Sequence, residues 1–408
     1  MHIPINHGDT AWILVCCSLV LLMTPALALF YGGMARRKNV LSTLTLSFVF
    51  MALIGVQWVL YGYSLAFGED IGGLIGGLNF LGFKGVGAAP NADYGKTIPH
   101  GLFAAFQMMF AVITPALITG AFVERVRFKS FLLFSLIWAT LVYDPLCHWV
   151  WGKGGWLGAM GALDFAGGTV VHIAAGFSAL AFALAIGPRK GFGKFPMEPH
   201  NIPLTVLGAG LLWVGWFGFN AGSALAANAV AVNALLTTNT SAAAAGLVWM
   251  LLSWLDGRPS TLGLATGMVV GLAAITPASG FVTPMAAMVI GAVAAPLGYY
   301  GIRFRVNRQW DESMDVWPCH GLASTWGMVA AGLFATLEVN PGGANGLFYG
   351  NPGQLGIQLL AIGATMAFTF VVTYVVAKLL DWSIGLRVTT MEEEVGLDIS
   401  AHGERAYS

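Results

Sequence analysis

Two histidines, His172 and His320, each open a long apolar run in a chain that otherwise avoids charge. The first stands in "DFAGGTVVHIAAG" (residues 164–176), the second in "VWPCHGLAS" (residues 316–324), and each leads into a segment rich in Ala, Gly and Ser. Isolating an ionisable group in hydrocarbon is costly, so a histidine inside a membrane span is a functional candidate. One alone is as readily a packing residue. Two at corresponding places in two half-chains point to imidazoles that meet, bond to each other and to a small cargo, and pass a proton. Two imidazoles also make half of a zinc site, but only Asp164 and Asp315 stand near enough to add to it. Helix capping explains an acid just ahead of each run, so neither a metal nor another cofactor is expected.

Aromatic residues supply the second constellation. Phe106 and Phe110 in "FQMMF" share a helix face at i, i+4, and Phe219, with Trp216 close by, falls in "GWFGFNAGS". Such rings are able to plug a pore, although in a chain that is 12% aromatic most rings simply pack. Trp151 and Ser223 lie near the predicted outer ends of spans, where a ring face and a hydroxyl lone pair suit a small cation. No acid cluster lines the spans, so the cargo is expected to be small and either neutral or monovalent.

The elements that must position these residues are membrane helices. The chain has 408 residues, 57% hydrophobic and 9% charged, against roughly a quarter charged in soluble domains. Runs of about 20 apolar residues, each enough to span a bilayer, fall near 11–31, 43–67, 100–122, 130–150, 168–187, 203–222, 227–254, 260–277, 281–302, 319–336 and 354–382. The predicted fold class is thus all-α integral membrane, with eleven transmembrane helices. The start lacks the basic region of a signal peptide, so its first run is read as a retained span. With the N-terminus outside, sixteen of the 19 Lys and Arg residues face the cytoplasm, as the positive-inside rule requires, leaving Lys84, Lys96 and Lys153 outside. An odd number of spans, N-out and C-in, follows.

His172 opens the fifth run and His320 the tenth. An offset of five spans reverses orientation, which predicts an inverted repeat of five plus five, with a long eleventh helix outside it. The halves cover about 11–187 and 203–336 within a membrane domain of 1–385, and 386–408 form a cytoplasmic tail. The glycine-rich loop 68–99 is expected to pack on the outer mouth. Cys16, Cys17, Cys147 and Cys319 form no CxxC pair, and Cys16 and Cys17, inside an apolar run, read as core residues. No phosphate loop, HExxH or GxSxG occurs, so no enzyme is predicted, and zero net charge argues against a nucleic-acid partner.

Five stretches in order, "LFYGGMARRKNVL", "GAFVERVRF", "DFAGGTVVHIAAG", "GWFGFNAGSA" and "EEEVGLDISAHGERAY", are similar to hallmark stretches of the ammonium transporters of the Amt/MEP/Rh superfamily, Amt branch. The resemblance runs along essentially the whole chain. It implies that Phe106, Trp151 and Ser223 recruit ammonium, with Asp164 as a supporting acid. It implies that Phe110 and Phe219 are gate rings, that Trp216 lines the pore, and that His172 and His320 are twin pore histidines. It further implies a homotrimer in the cell membrane, carrying ammonium or ammonia with methylammonium as an alternate cargo. The tail would dock a PII-type signal protein.

The match departs in two places. Gln107, Met108 and Met109 stand between the two phenylalanines, where bulky side chains would narrow the gate, and Pro318 and Cys319 precede the second histidine. Either change is able to slow permeation, which keeps open a second reading: an ammonium sensor whose membrane domain reports to a cytoplasmic signalling module. A carrier of another small cargo, such as methylammonium or carbon dioxide, is the third.

Overall fold

The structure, a computed structural model, describes residues 4–407. Among them, nine helices are long and apolar enough to cross a membrane. These are α1 (His7–Met34), α2 (40–67), α3 (His100–Ala121), α4 (128–151), α5 (Gly168–Ile186), α6 (Ile202–Gly222), α7 (Ala229–Leu255), α9 (Pro284–Asn307) and α11 (Pro352–Ile384). The expected runs at 260–277 and 319–336 are also helical. The first is the shorter α8 (Thr261–Ile275), and the second is α10, a π-turn over Trp317–Leu322 that runs into Ala323–Phe334.

Helix starts are written in side chains. Asn6, Asn201, Asn228, Ser260 and Thr283 each accept the backbone N–H three residues on, which satisfies a donor that the first turn would leave orphaned. Between helices, small residues set the spacing. A Cβ on Gly208 of α6 would lie 2.4 Å from the Phe30 nitrogen of α1, and one on Gly176 of α5 would lie 2.4 Å from the Gly321 Cα of α10. The second approach matters for function, because it draws together the two helices that carry His172 and His320.

Loop 68–99 folds into two small hairpins, β1–β2 (Asp70–Ile71 with Ile75–Gly76) and β3–β4 (Pro90–Asn91 with Gly95–Pro99). Trp149 donates to the Leu74 carbonyl at 2.8 Å, and the Lys153 N–H donates to the Tyr94 hydroxyl at 3.0 Å. The loop is thereby clamped over one face of the bundle, which we call the mouth face.

The tail lies on the opposite face, in short helices α12 (Thr390–Val395) and α13 (Leu397–His402). Gly385, in the left-handed region at φ 73°, ends α11 and turns the chain into it. The Ser42 N–H donates to Asp398 and the Leu397 N–H to Asn39, both at 2.8 Å. Glu393 takes the Lys190 N–H at 2.6 Å and Arg387 at 2.8 Å. Beneath it lies a buried web in which Arg189 pairs with Asp311 at 2.8 Å and with Glu124 at 3.0 Å, while Arg36 reaches Glu124 at 2.7 Å. Burial alone would raise the Glu124 carboxyl, but Arg189 and Arg36 outweigh it and hold it below its usual range.

Candidate functional site: a capped mouth, a phenylalanine stack and paired histidines

α5 begins with a carboxylate. The Asp164 oxygens accept the backbone N–H groups of Gly167 at 2.8 Å, Gly168 at 2.6 Å and Thr169 at 2.7 Å, and the Thr169 hydroxyl also donates to Oδ2. Four donors collected at a helix start hold the turn rigidly. Gly167 adopts φ 107°, a conformation glycine takes without strain, and the His172 N–H then reaches back to the Gly167 carbonyl at 3.0 Å in a π-turn. The Asp164 backbone carbonyl meanwhile accepts the Trp151 indole N–H at 3.0 Å. With its only donor occupied, Trp151 offers its ring.

That ring borders a mouth cavity of about 300 Å³, shared with Phe106, Gln107, Phe110, Ser223 and, from the clamped loop, Asp93 and Tyr94. The Ser223 hydroxyl donates to the Phe219 carbonyl at 2.9 Å, so its lone pairs stay available to a donor. Phe110 stacks on Phe219 with ring centroids 4.1 Å apart, and it meets Phe106 and Trp151 edge-on at 5.0 Å and 5.9 Å.

Phe219 also lines a second cavity of only about 10 Å³, walled by aliphatic and aromatic side chains including Leu27, Ile113, Val269 and Trp216, with His172 and His320 as its polar members. The phenylalanine stack therefore divides the mouth from a narrow, mostly apolar cavity. His320 Nδ1 and His172 Nδ1 are 3.2 Å apart and the rings lie within 17° of parallel. One ring must donate and the other accept, so the neutral pair holds opposite tautomers. Trp216 stacks on His172 at 5.3 Å, and its own N–H is fixed to Thr276 at 2.9 Å. His172 Nε2 is buried without a partner among the described residues.

Of the nine site residues expected from the sequence, Phe106, Phe110, Trp151 and Ser223 line the mouth cavity, Phe219, Trp216, His172 and His320 line the second, and Asp164 holds Trp151 without lining either. Three expectations change. Met108 and Met109 line neither cavity, because successive helical residues are turned about 100° apart and these two point into surrounding packing. Pro318 and Cys319 also lie outside both linings. Asp315 does not cap α10: its carboxylate is taken by Arg305, and Glu312 accepts the Trp317 N–H at 2.7 Å instead. Asp93 and Tyr94 escaped the sequence reading because a loop residue's place over a distant cavity leaves no periodic trace.

The Ammonium Transporter Family model matches residues 11–407. Ammonium transporter Amt1 of Archaeoglobus fulgidus is 51% identical over 403 residues, spanning 99% of this chain and 100% of that one. The ammonium transporter of Bacillus subtilis is 51% identical over 403 residues, spanning 98% of each. Among solved structures, Saccharomyces cerevisiae Mep2 superposes with a TM-score of 0.91 at 36% identity, covering 99% of this chain and 92% of that one. A protein described as a sensor Amt protein superposes with a TM-score of 0.88 at 29% identity, covering 97% of this chain and 98% of that one. The chain, a multi-pass protein of the cell membrane, therefore belongs to the ammonium transporter family.

Proposed function

We propose that the protein carries ammonium nitrogen across the membrane through the column between the mouth and the paired histidines. Ammonium enters the mouth, where the Trp151 and Phe106 faces attract its charge and Ser223 accepts one of its N–H groups. Beyond the Phe110–Phe219 stack the intact cation would lose its water with no counter-charge, at a cost of several kcal/mol or more. Ammonium escapes that cost by leaving its proton behind and continuing as ammonia. Ammonia then passes His172 and His320, exchanging hydrogen bonds with a ring nitrogen that their mutual contact leaves free, His172 Nε2, while the proton moves separately along the imidazoles as they swap tautomers. Potassium has neither a proton to shed nor an N–H to donate, so it stays outside.

The observation that carries this reading is the 3.2 Å contact between His172 and His320 inside a narrow, mostly apolar cavity directly behind an aromatic mouth. In the same reading α1–α11 all cross the bilayer as two inverted sets of five plus α11, with the mouth face outside and the tail in the cytoplasm. Three copies assemble, each with its own pore, and the tail presents a surface to a PII-type partner. The test is ammonium-evoked current or flux in proteoliposomes of the wild type, His172→Ala and His320→Ala. Flux above empty vesicles that changes in both variants supports the proposal, and ammonium binding without flux in the wild type sinks it.

That last outcome is what the second reading, sensing, expects. It is supported by the sensor Amt protein's close superposition and by the near-closed passage. The relatives at 51% identity, both named as transporters, weigh toward transport.

A further inference from the structure

The mouth contains a polar group that the reading above leaves idle. Gln107 follows Phe106 on α3, is 8% exposed, and lines the mouth cavity together with Phe106, Trp151 and Ser223. Its Oε1 is buried and has no hydrogen-bond partner, and among the described residues it is the one such orphaned atom in the lining of this cavity. A buried acceptor left unpaired costs about 1–3 kcal/mol, and a turn of the amide about its last side-chain torsion brings Oε1 round to a donor in the adjoining cavity.

The other polar groups around the cavity each have a partner. The Trp151 N–H is held by the Asp164 carbonyl, and Asp93 pairs with Lys153 at 2.9 Å. The Tyr94 hydroxyl accepts from the Lys153 N–H. Ser223 donates to Phe219 and keeps only its lone pairs. A guest with N–H donors therefore finds Ser223 Oγ and Gln107 Oε1 beside the two ring faces of Phe106 and Trp151, with the spare lone pairs of Asp93 at its exposed pair with Lys153.

We propose that Gln107 is a specificity-determining residue of the mouth, whose Oε1 accepts a second N–H of ammonium and so favours ammonium over its methylated analogue. Ammonium carries four N–H donors in a tetrahedron: two go to oxygen and two can face rings. Methylammonium has three, and its methyl group must take a place that an N–H would otherwise fill. With the amide accepting, the methyl group must displace an N–H from a ring face, whereas beside an apolar side chain at position 107 it lies without losing a contact, so the acceptor is what makes the methyl group costly. This inference rests on the reading of the mouth as the ammonium site.

The test is isothermal titration of the purified full chain in detergent with ammonium chloride, and separately with methylammonium chloride. Gln107→Met keeps the size and removes the acceptor, while Gln107→Glu keeps acceptor oxygens. Gln107→Met is expected to weaken ammonium binding about tenfold, the loss expected for a hydrogen bond from a charged donor. Methylammonium binding should weaken by less, so that the preference for ammonium shrinks, and Gln107→Glu should bind ammonium at least as well as the wild type. Equal weakening toward both ligands, or a Gln107→Glu protein as weak as Gln107→Met, overturns the inference. Unchanged ammonium affinity in Gln107→Met overturns it alone, whereas a wild type that binds no ammonium overturns the mouth reading and this inference together.

Discussion

Asp164 and Glu312 each stand eight residues ahead of one of the paired histidines, and each accepts backbone N–H at the π-turn that opens its helix. Beyond that they differ. Asp164 gathers four donors and has no ionic partner among the described residues, so it is a local brace, with Trp151 hung from its backbone. Glu312 holds the Trp317 N–H with one oxygen and leaves the other buried and unpaired, in a neighbourhood of Arg305, Asp315 and the Asp311–Arg189 pair. The same turn is thus secured on the mouth face by one carboxylate and on the tail face by a web of charge. A brace fixes a geometry, whereas a web ties that geometry to the segments that share it.

The web should be the more fragile of the two. Arg189 is buried and neutralises both Glu124 and Asp311. Arg189→Ala leaves two acids without it, and breaking a buried pair costs about 3–5 kcal/mol. It is expected to produce the largest fall in unfolding temperature in detergent, as followed by intrinsic fluorescence. Asp164→Asn comes next: one amide oxygen replaces two charged ones, and losing charge-assisted bonds costs on the order of 2–3 kcal/mol. That variant should also loosen Trp151 and weaken ammonium binding, which Arg189→Ala should leave less affected. If Arg189→Ala weakens ammonium binding as much as Asp164→Asn does, the division into brace and web fails.

Much of this column is legible in the sequence, because membrane helices and their caps obey local rules. Apolar runs locate the helices, and the polar residues set within or just ahead of them locate His172, His320 and Asp164. What stays hidden depends on distant partners. Asp315, five residues ahead of its histidine, looks like the cap, yet Arg305 on the preceding helix claims it and the duty passes to Glu312. The signal that finds Glu312 is the equal spacing to the histidines, visible only once the two turns are compared. Gln107, Met108 and Met109 are neighbours in sequence, but only the helix phase decides that the amide enters the mouth and the thioethers do not.

Glu312 also makes the web sensitive to pH. Burial pushes its carboxyl from 4.5 up to about 8, with Asp315 adding to the rise against the pull of Arg305 and of the Trp317 N–H. Between those values the folded protein holds a proton that the unfolded chain has released. Stability on this account is greatest below about pH 4.5 and declines as pH rises through about 8. Glu312→Gln removes the titration, so its unfolding temperature should fall less between pH 5 and about 8 than that of the wild type. Parallel curves for the two proteins would show that the charge on Glu312 carries no stability there.

The smallest effects separate the web from the surface above it, at two adjacent acids of the tail. The Glu393 side chain is 3% exposed and takes both Arg387 and the Lys190 N–H, while Glu394 is 57% exposed and meets the Lys190 ammonium in open solvent. Removing a buried acceptor of two charge-assisted bonds costs about 1–3 kcal/mol. An exposed pair gives back to side-chain entropy and salt screening most of what it gains. Glu393→Ala should therefore lower the unfolding temperature and expose the tail to protease, and Glu394→Ala should do neither. Lys190→Ala belongs with Glu394→Ala, because the bond to Glu393 comes from the Lys190 backbone and survives loss of the side chain. If Lys190→Ala instead frees the tail, the ion pair at the surface and not the buried acid anchors it, and the web ends one layer further out than the geometry places it.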